Sequence, residues 1–244
     1  MTSQPAAAHA ATTEDFVNNL AAVNQRIAAA ASTAGREARS VRLLPVTKTI
    51  DIERLSLAIA AGVDTLGENK VQEAQGKHEA FRERFEHLRY AVIGPLQTNK
   101  AKFVAQFAHE FHALDSLKLA QTLQRRLELE DRSLEVFIQV NTSGEESKSG
   151  IAASAAPALL DGLSSLDRLT PVGLMTMAAN TTDEHQIRAS FSSLRETLES
   201  LQPNAPQGFK HLSMGMSGDY ELAIAEGATV VRVGQGIFGA RNYA

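Results

Sequence analysis

Lys48 ends the apolar run VRLLPVTK (41–48), three residues before Asp51, which can open a helix. An amine at such a strand end can attack an aldehyde carbon and form an imine once it is neutral. Partial desolvation at a pocket mouth favours the neutral form by lowering the lysine pKa, and a phosphate bound nearby pulls the other way. A solvated lysine is the plainer alternative, so the chemical reading depends on what else converges on this residue.

The complement lies near the other end of the chain, in VVRVGQGIFGAR (230–241), where an apolar run carries Arg232 and is followed by Gly234-Gln235-Gly236 and an apolar helix start. Glycines let a backbone approach an anion, and the N–H groups that open a helix donate to it. Upstream, HLSMGMSGDYELAIAEG (211–227) puts Ser213 and Gly215 at another strand end, with Ser217 as a candidate cap for the next helix. Taken singly, each glycine or serine reads as turn chemistry. In adjacent loops of a closed barrel they read together as an anion site. The Arg232 guanidinium only donates and stays protonated, so a ring nitrogen bonded to it must be an unprotonated acceptor. An internal ion pair is the competing assignment for Arg232. One compact ligand meets all three requirements: pyridoxal 5′-phosphate carries an aldehyde, a phosphate and a ring nitrogen. Held in this way the ring is a weak electron sink, which disfavours transamination.

These residues need a scaffold that brings both ends of the chain to one face. Apolar runs at 41–46, 65–66, 90–93, 111–114, 135–140, 172–177, 211–214 and 230–233 alternate with segments of helical spacing such as IERLSLAIAAG and EHQIRASFSSLRETLESL. Strand then helix, eight times over 244 residues, predicts an α/β fold, a (β/α)8 TIM barrel in a single domain with its site where the strands end. An open doubly wound sheet is the runner-up. Thr13-Glu14-Asp15 reads as the cap and acidic first turn of an extra N-terminal helix carrying Phe16, Leu20, Val23 and Ile27. The expected division is a flexible tail over 1–12 and a ligand-binding barrel over 13–244.

Composition narrows the function classes. With no cysteine there are neither disulfides nor thiolate metal sites, and a cytoplasmic setting is expected. A net charge of −4, with basic clusters interleaved with Glu, argues against a nucleic-acid binder. The N-terminus lacks a basic n-region and an apolar core, and no run approaches a membrane span, so neither a signal peptide nor a membrane partner is expected. The seven histidines show no ligand spacing, and no metal is expected. VNTSGEESKSGI (140–151) lacks the spacing of a nucleotide P-loop, and its Lys148 reads as a solvated loop residue. In GENKVQE (67–73), Asn69 reads equally as an N-cap or as a contact to a bound ring.

The stretches LLPVTKT, LGENKVQEAQGK, IGPLQTNK, LDSLKLA, QVNTSGEESKSGI, GLMTM, LSMGMSGDYELAIAEGA and VRVGQGIFGAR follow in order from residue 43 to 241. Together they resemble the pyridoxal phosphate homeostasis protein family, whose fold is similar to the N-terminal barrel of alanine racemase. The resemblance implies that Lys48 is the Schiff-base lysine, that Ser213, Gly234 and Gln235 lie at the phosphate, that Arg232 meets the pyridine nitrogen, and that Asn69 lies near the cofactor. Two positions depart from the family pattern: Gln235 stands where Thr is common, and Tyr90-Ala91 stands where a Trp-His pair is common.

The implied function is that of a monomeric carrier that buffers or delivers pyridoxal 5′-phosphate through a reversible imine, with cofactor-requiring apoenzymes as candidate recipients. A racemase would need acid/base groups on both faces of the substrate. In alanine racemases the second group is a tyrosine from an added domain of a partner subunit. Of Tyr90, Tyr220 and Tyr243, only Tyr243 sits on a tail placed to reach the mouth. A pyridoxal phosphate racemase, a Schiff-base aldolase for sugar phosphates that uses the same lysine without a cofactor, and an interaction protein without a ligand are the alternatives.

Overall fold

The computed structural model describes residues 10–145 and 149–239. Each of the eight apolar runs forms a strand: β1 (Arg42–Pro45), β2 (Thr65–Glu68), β3 (Arg89–Val92), β4 (Glu110–Leu114), β5 (Leu134–Gln139), β6 (Leu169–Met175), β7 (His211–Met216) and β8 (Val230–Val233). All neighbours pair parallel, in the order β1-β8-β7-β6-β5-β4-β3-β2. The first and last strands share a four-residue ladder. The barrel instead closes at the β1/β2 seam, where pairing narrows to a bridge between Val46 and Gly67, with the Thr47 N–H donating to the Gly67 carbonyl at 2.9 Å. An open doubly wound sheet would leave those two edges apart, so the bridge decides for the barrel.

The helices are α1 (Thr13–Thr33), α2 (Ile52–Ala60), α3 (Val71–Phe81), α4 (Ala101–Phe107), α5 (Leu117–Leu129), α6 (Ala156–Leu163), α7 (Glu184–Leu201), α8 (Tyr220–Ala225) and α9 (Gln235–Phe238). Asp51 caps α2 by accepting the Arg54 N–H at 2.8 Å, as its place in the sequence suggests. The cap of α1 falls one residue earlier than expected. Thr12 accepts the Asp15 N–H, and the Asp15 carboxylate returns a bond to the Thr12 N–H, completing a capping box. Of the expected tail, residues 1–9 lie outside the described residues; Ala10 is fully buried and its carbonyl accepts from Arg54.

The extra helix α1 stands in the outer ring against α8, α9 and α2. Phe16 meets Phe238 edge-on at 5.5 Å, and the Asn19 side-chain amide donates to the Ile237 carbonyl. The four-residue α9 is too short to cover β8, and the α1 face of Phe16, Val23, Ile27 and Ala31 supplies the missing apolar cover. Each large side chain buried this way contributes about 1.5–3 kcal/mol. No helix among the described residues is long and apolar enough to cross a membrane, and no three His, Asp or Glu gather as a metal would require.

Candidate functional site

A cavity of about 360 Å³ opens at the C-terminal ends of the strands, lined among others by Lys48, Asn69, Gln139, Ser149, Arg232, Gly234 and Gln235. This is the end of a (β/α)8 barrel where loops carry the chemistry, and the volume suits a small organic ligand. A larger cleft of about 620 Å³ lies at the opposite end, where Arg42 and Glu110 already satisfy each other in a bidentate pair. We assign the site to the smaller cavity because it lies where the strands end and gathers Lys48, Arg232 and the Gly234–Gln235 turn, whereas the arginine and carboxylate of the larger cleft already satisfy each other.

Five of the six residues singled out in the sequence meet there: Lys48, Asn69, Arg232, Gly234 and Gln235. Period-two alternation along β1 and its extension turns Arg42, Val46 and Lys48 inward, and Lys48 reaches the rim half-buried. Asn69 is not the N-cap of α3; Lys70 holds that position without a side-chain bond, which leaves Asn69 facing the cavity. Gly94 lets the end of β3 approach that asparagine, since a Cβ there would overlap the Asn69 carbonyl.

The sixth residue, Ser213, lies one layer deeper. It is fully buried and absent from the cavity wall; its hydroxyl accepts from Arg232 at 2.8 Å and meets His112 Nδ1 at 2.9 Å. His112 Nε2 in turn lies 2.9 Å from Glu110 Oε2, and Glu110 takes both Arg42 nitrogens at 2.8 and 2.6 Å. A column Arg42–Glu110–His112–Ser213–Arg232 therefore runs through the barrel from one end to the other. While it accepts from the guanidinium, the Ser213 hydroxyl still has a proton to give to Nδ1, an arrangement that suits a neutral His112 with its hydrogen on Nε2 towards Glu110. Burial holds the His112 pKa below its ordinary value, against the opposing pull of Glu110. Burial alone would raise Glu110, but the bonds from His112 and Arg42 hold it well below the usual carboxylate range. Sequence reasoning missed Glu110 and His112, although alternation in EFHAL places both on one face of β4.

Arg232 is 4% exposed, and burial lowers its pKa to about 10, still protonated at neutral pH. Its partners are neutral oxygens: Ser213 Oγ and the Thr176 carbonyl, both at 2.8 Å. Among the described residues it forms no ion pair, which removes the competing assignment. The Asp219 carboxylate favours its charged form from a distance, and the result is a buried, protonated donor at the cavity floor, suited to an acceptor on a ligand.

The β7 and β8 ends form the cradle. Gly215 has φ +93°, and a Cβ there would run into Ala223 and Tyr220, so glycine is what lets β7 turn into α8. Ser217 does not cap α8; its hydroxyl accepts the Gly234 N–H at 3.2 Å and ties the two loops together. The first helical bonds of α9 come from Ile237 and Phe238 to the Gly234 carbonyl, so the Gln235 and Gly236 N–H groups have no partner within that helix. An amine, a buried guanidinium and a glycine-bordered pair of N–H donors fit a ligand that combines an aldehyde, an acceptor nitrogen and a phosphate.

Neither described tyrosine faces the cavity. Tyr90 packs on His78 and Phe107, with its phenol pushed up by burial, and Tyr220 lies buried beneath the Arg26 guanidinium. Tyr243 and Lys148 fall outside the described residues. The Tyr90-Ala91 departure therefore sits behind the barrel wall at the tyrosine, and the Gln235 departure sits on the cavity itself.

Residues 18–242 match the family model described as alanine racemase, N-terminal domain. The chain is 42% identical over 228 residues to the pyridoxal phosphate homeostasis protein of Pseudomonas aeruginosa, covering 93% of this chain and 96% of that one. To the protein of the same name from Escherichia coli K12 it is 38% identical over 237 residues, covering 94% and 98%. PipY of Synechococcus elongatus, solved with PLP bound, is 33% identical with a TM-score of 0.81, covering 92% of this chain and 100% of that one. An alanine racemase from Clostridium difficile, 14% identical with a TM-score of 0.69, shares the fold; the alignment covers 94% of this chain and 56% of that one.

Proposed function

The chain belongs to the alanine racemase N-terminal domain family and, within it, to the pyridoxal phosphate homeostasis proteins, and on that premise we propose that it binds pyridoxal 5′-phosphate and buffers or delivers it in the cytoplasm as a monomer. The single observation that carries this reading is the convergence of Lys48, Arg232 and the Gly234–Gln235 turn on one cavity. Lys48 would hold the cofactor through its amine, and the bound group would supply an aldehyde for reversible imine exchange, with water released on binding and consumed on release. Arg232 donates to the ring nitrogen and keeps it unprotonated. The N–H groups of Gln235 and Gly236, with the Ser217–Gly234 tie beside them, hold the phosphate. Asn69 orients the ring from the β2 end. Ser213 acts through Arg232, fixing the guanidinium from beneath.

A carrier rather than a racemase is favoured by the rest of the wall. Among the described residues no carboxylate, imidazole or phenol lines the cavity with Lys48, which leaves a substrate proton without a second acid/base group of those kinds. Apoenzymes that require the cofactor are the proposed recipients.

The visible spectrum of the purified chain, before and after borohydride, tests the proposal. A band lost on reduction, with a pyridoxyl phosphate adduct mapped by mass to Lys48, is the expected result. Lys48→Ala abolishes that band while noncovalent, phosphate-dependent binding partly survives. A trapped sugar on Lys48 would establish the aldolase instead, and identical spectra for mutant and wild type would remove Lys48 from its role.

A further inference from the structure

Lys48 sits in a turn that another lysine holds shut. The Ile50 N–H donates to the Thr47 carbonyl at 3.1 Å, closing a four-residue turn with Lys48 and Thr49 at its centre. Thr49 has φ +67°, one of two non-glycine residues with positive φ among those described. A third turn residue with positive φ is ordinarily Gly or Asn, and a β-branched side chain is strained there. Such strain persists only where the surroundings over-determine it.

The surroundings are a buried cluster outside the barrel wall. Lys77, on α3 and 4% exposed, donates to the Thr47 carbonyl at 2.8 Å, to Glu68 at 2.7 Å and to Glu73 at 2.7 Å. The Thr47 hydroxyl donates to Glu68, and Glu73 accepts the Thr49 N–H at 2.5 Å. The peptide groups on both sides of Lys48 are thus gripped by the Lys77 ammonium and the Glu73 carboxylate, while Glu68 holds the Thr47 side chain.

We propose that Lys77, with Glu68 and Glu73, is the positioning residue for Lys48, clamping the strained 47–50 turn so that the Lys48 amine is delivered into the cavity at the angle imine formation needs. The inference rests on the cofactor reading above and extends it to residues that never touch the ligand. A displacement of about 1 Å at the reacting group costs up to ~100-fold in rate, so loosening this turn acts on the covalent step and spares the anion cradle.

The test compares the full-length wild type with Lys77→Met, Glu73→Gln and the double variant Lys77→Met/Thr49→Gly. Three measurements are made: the rate of imine formation with pyridoxal 5′-phosphate, the affinity for pyridoxine 5′-phosphate, which lacks the aldehyde, and hydrogen exchange at the Thr49 and Ile50 amides without ligand. Lys77→Met is expected to slow imine formation about tenfold or more, leave pyridoxine 5′-phosphate affinity within about threefold, and speed exchange at both amides. Thr49→Gly, which adopts φ +67° without strain, restores part of the rate in the Lys77→Met background. Glu73 is partly exposed on α3, so Glu73→Gln keeps the fold and is expected to slow the same step about threefold. Unchanged imine formation in Glu73→Gln and Lys77→Met overturns the proposal, as does a parallel loss of both affinities, which would mark general damage. A wild type that forms no imine would instead refute the cofactor reading itself.

Discussion

Ser213→Ala separates a residue that touches the ligand from one that supports the site. Its hydroxyl fills the gap between a buried guanidinium and a buried imidazole, at 2.8 and 2.9 Å. Alanine leaves one Arg232 N–H and the His112 Nδ1 without partners, and each unmet buried group costs about 1–3 kcal/mol, more where charge is involved. The expected loss is therefore about 3 kcal/mol, or roughly 6–12 °C in Tm for a chain of this size. Urea unfolding of the ligand-free protein measures it, with the midpoint falling and the slope unchanged. Affinity for pyridoxine 5′-phosphate should fall less, and only through a looser Arg232. Unchanged ligand-free stability together with a sharp loss of affinity would refute the reasoning, because it would put the hydroxyl on the phosphate rather than beneath the floor.

Glu110 sets an acid limit on stability. Its folded pKa lies below its unfolded value, so its contribution is complete above the ordinary carboxylate range and is lost as pH falls through and below it. Glu110→Gln should flatten that acid limb in a pH series of urea midpoints while costing about 1–3 kcal/mol at neutral pH, because the Arg42 side chain that loses its partner is exposed and water can solvate it; an unchanged acid limb would show that other carboxylates set it. Gly94→Ala forces a Cβ onto the Asn69 carbonyl. It should cost about 1–3 kcal/mol by thermal melt and weaken pyridoxine 5′-phosphate binding, and a variant with native Tm and affinity would mean that the β2 and β3 ends yield freely.

Much of the architecture is written locally. Each strand is a short apolar run ended by polar or glycine residues, and each long helix shows its own 3.6-residue spacing, so eight units and a site at their ends follow without knowing how they pack. Lys48, Arg232 and Gly234 were legible as cavity residues because strand ends and glycine turns carry their chemistry in one stretch of chain, whereas Asn69 and Gln235 entered through the family resemblance. Ser213 and Ser217 illustrate the boundary. The sequence reading puts both near the end of β7, whereas Ser213 lies inside the strand and Ser217 just past it, and only the tertiary structure turns the first under Arg232 and the second onto Gly234, because strand twist and register decide which layer each side chain enters. The Arg42–Glu110–His112–Ser213–Arg232 column joins strands β1, β4, β7 and β8, and the Lys77 clamp joins α3 to a turn some thirty residues earlier. Hydrogen bonds across such separations leave no periodic trace in the chain. The amino-acid sequence determined which elements form and which residues reach the rim; closure of the barrel decided which of them share the cavity and which only hold the others in place.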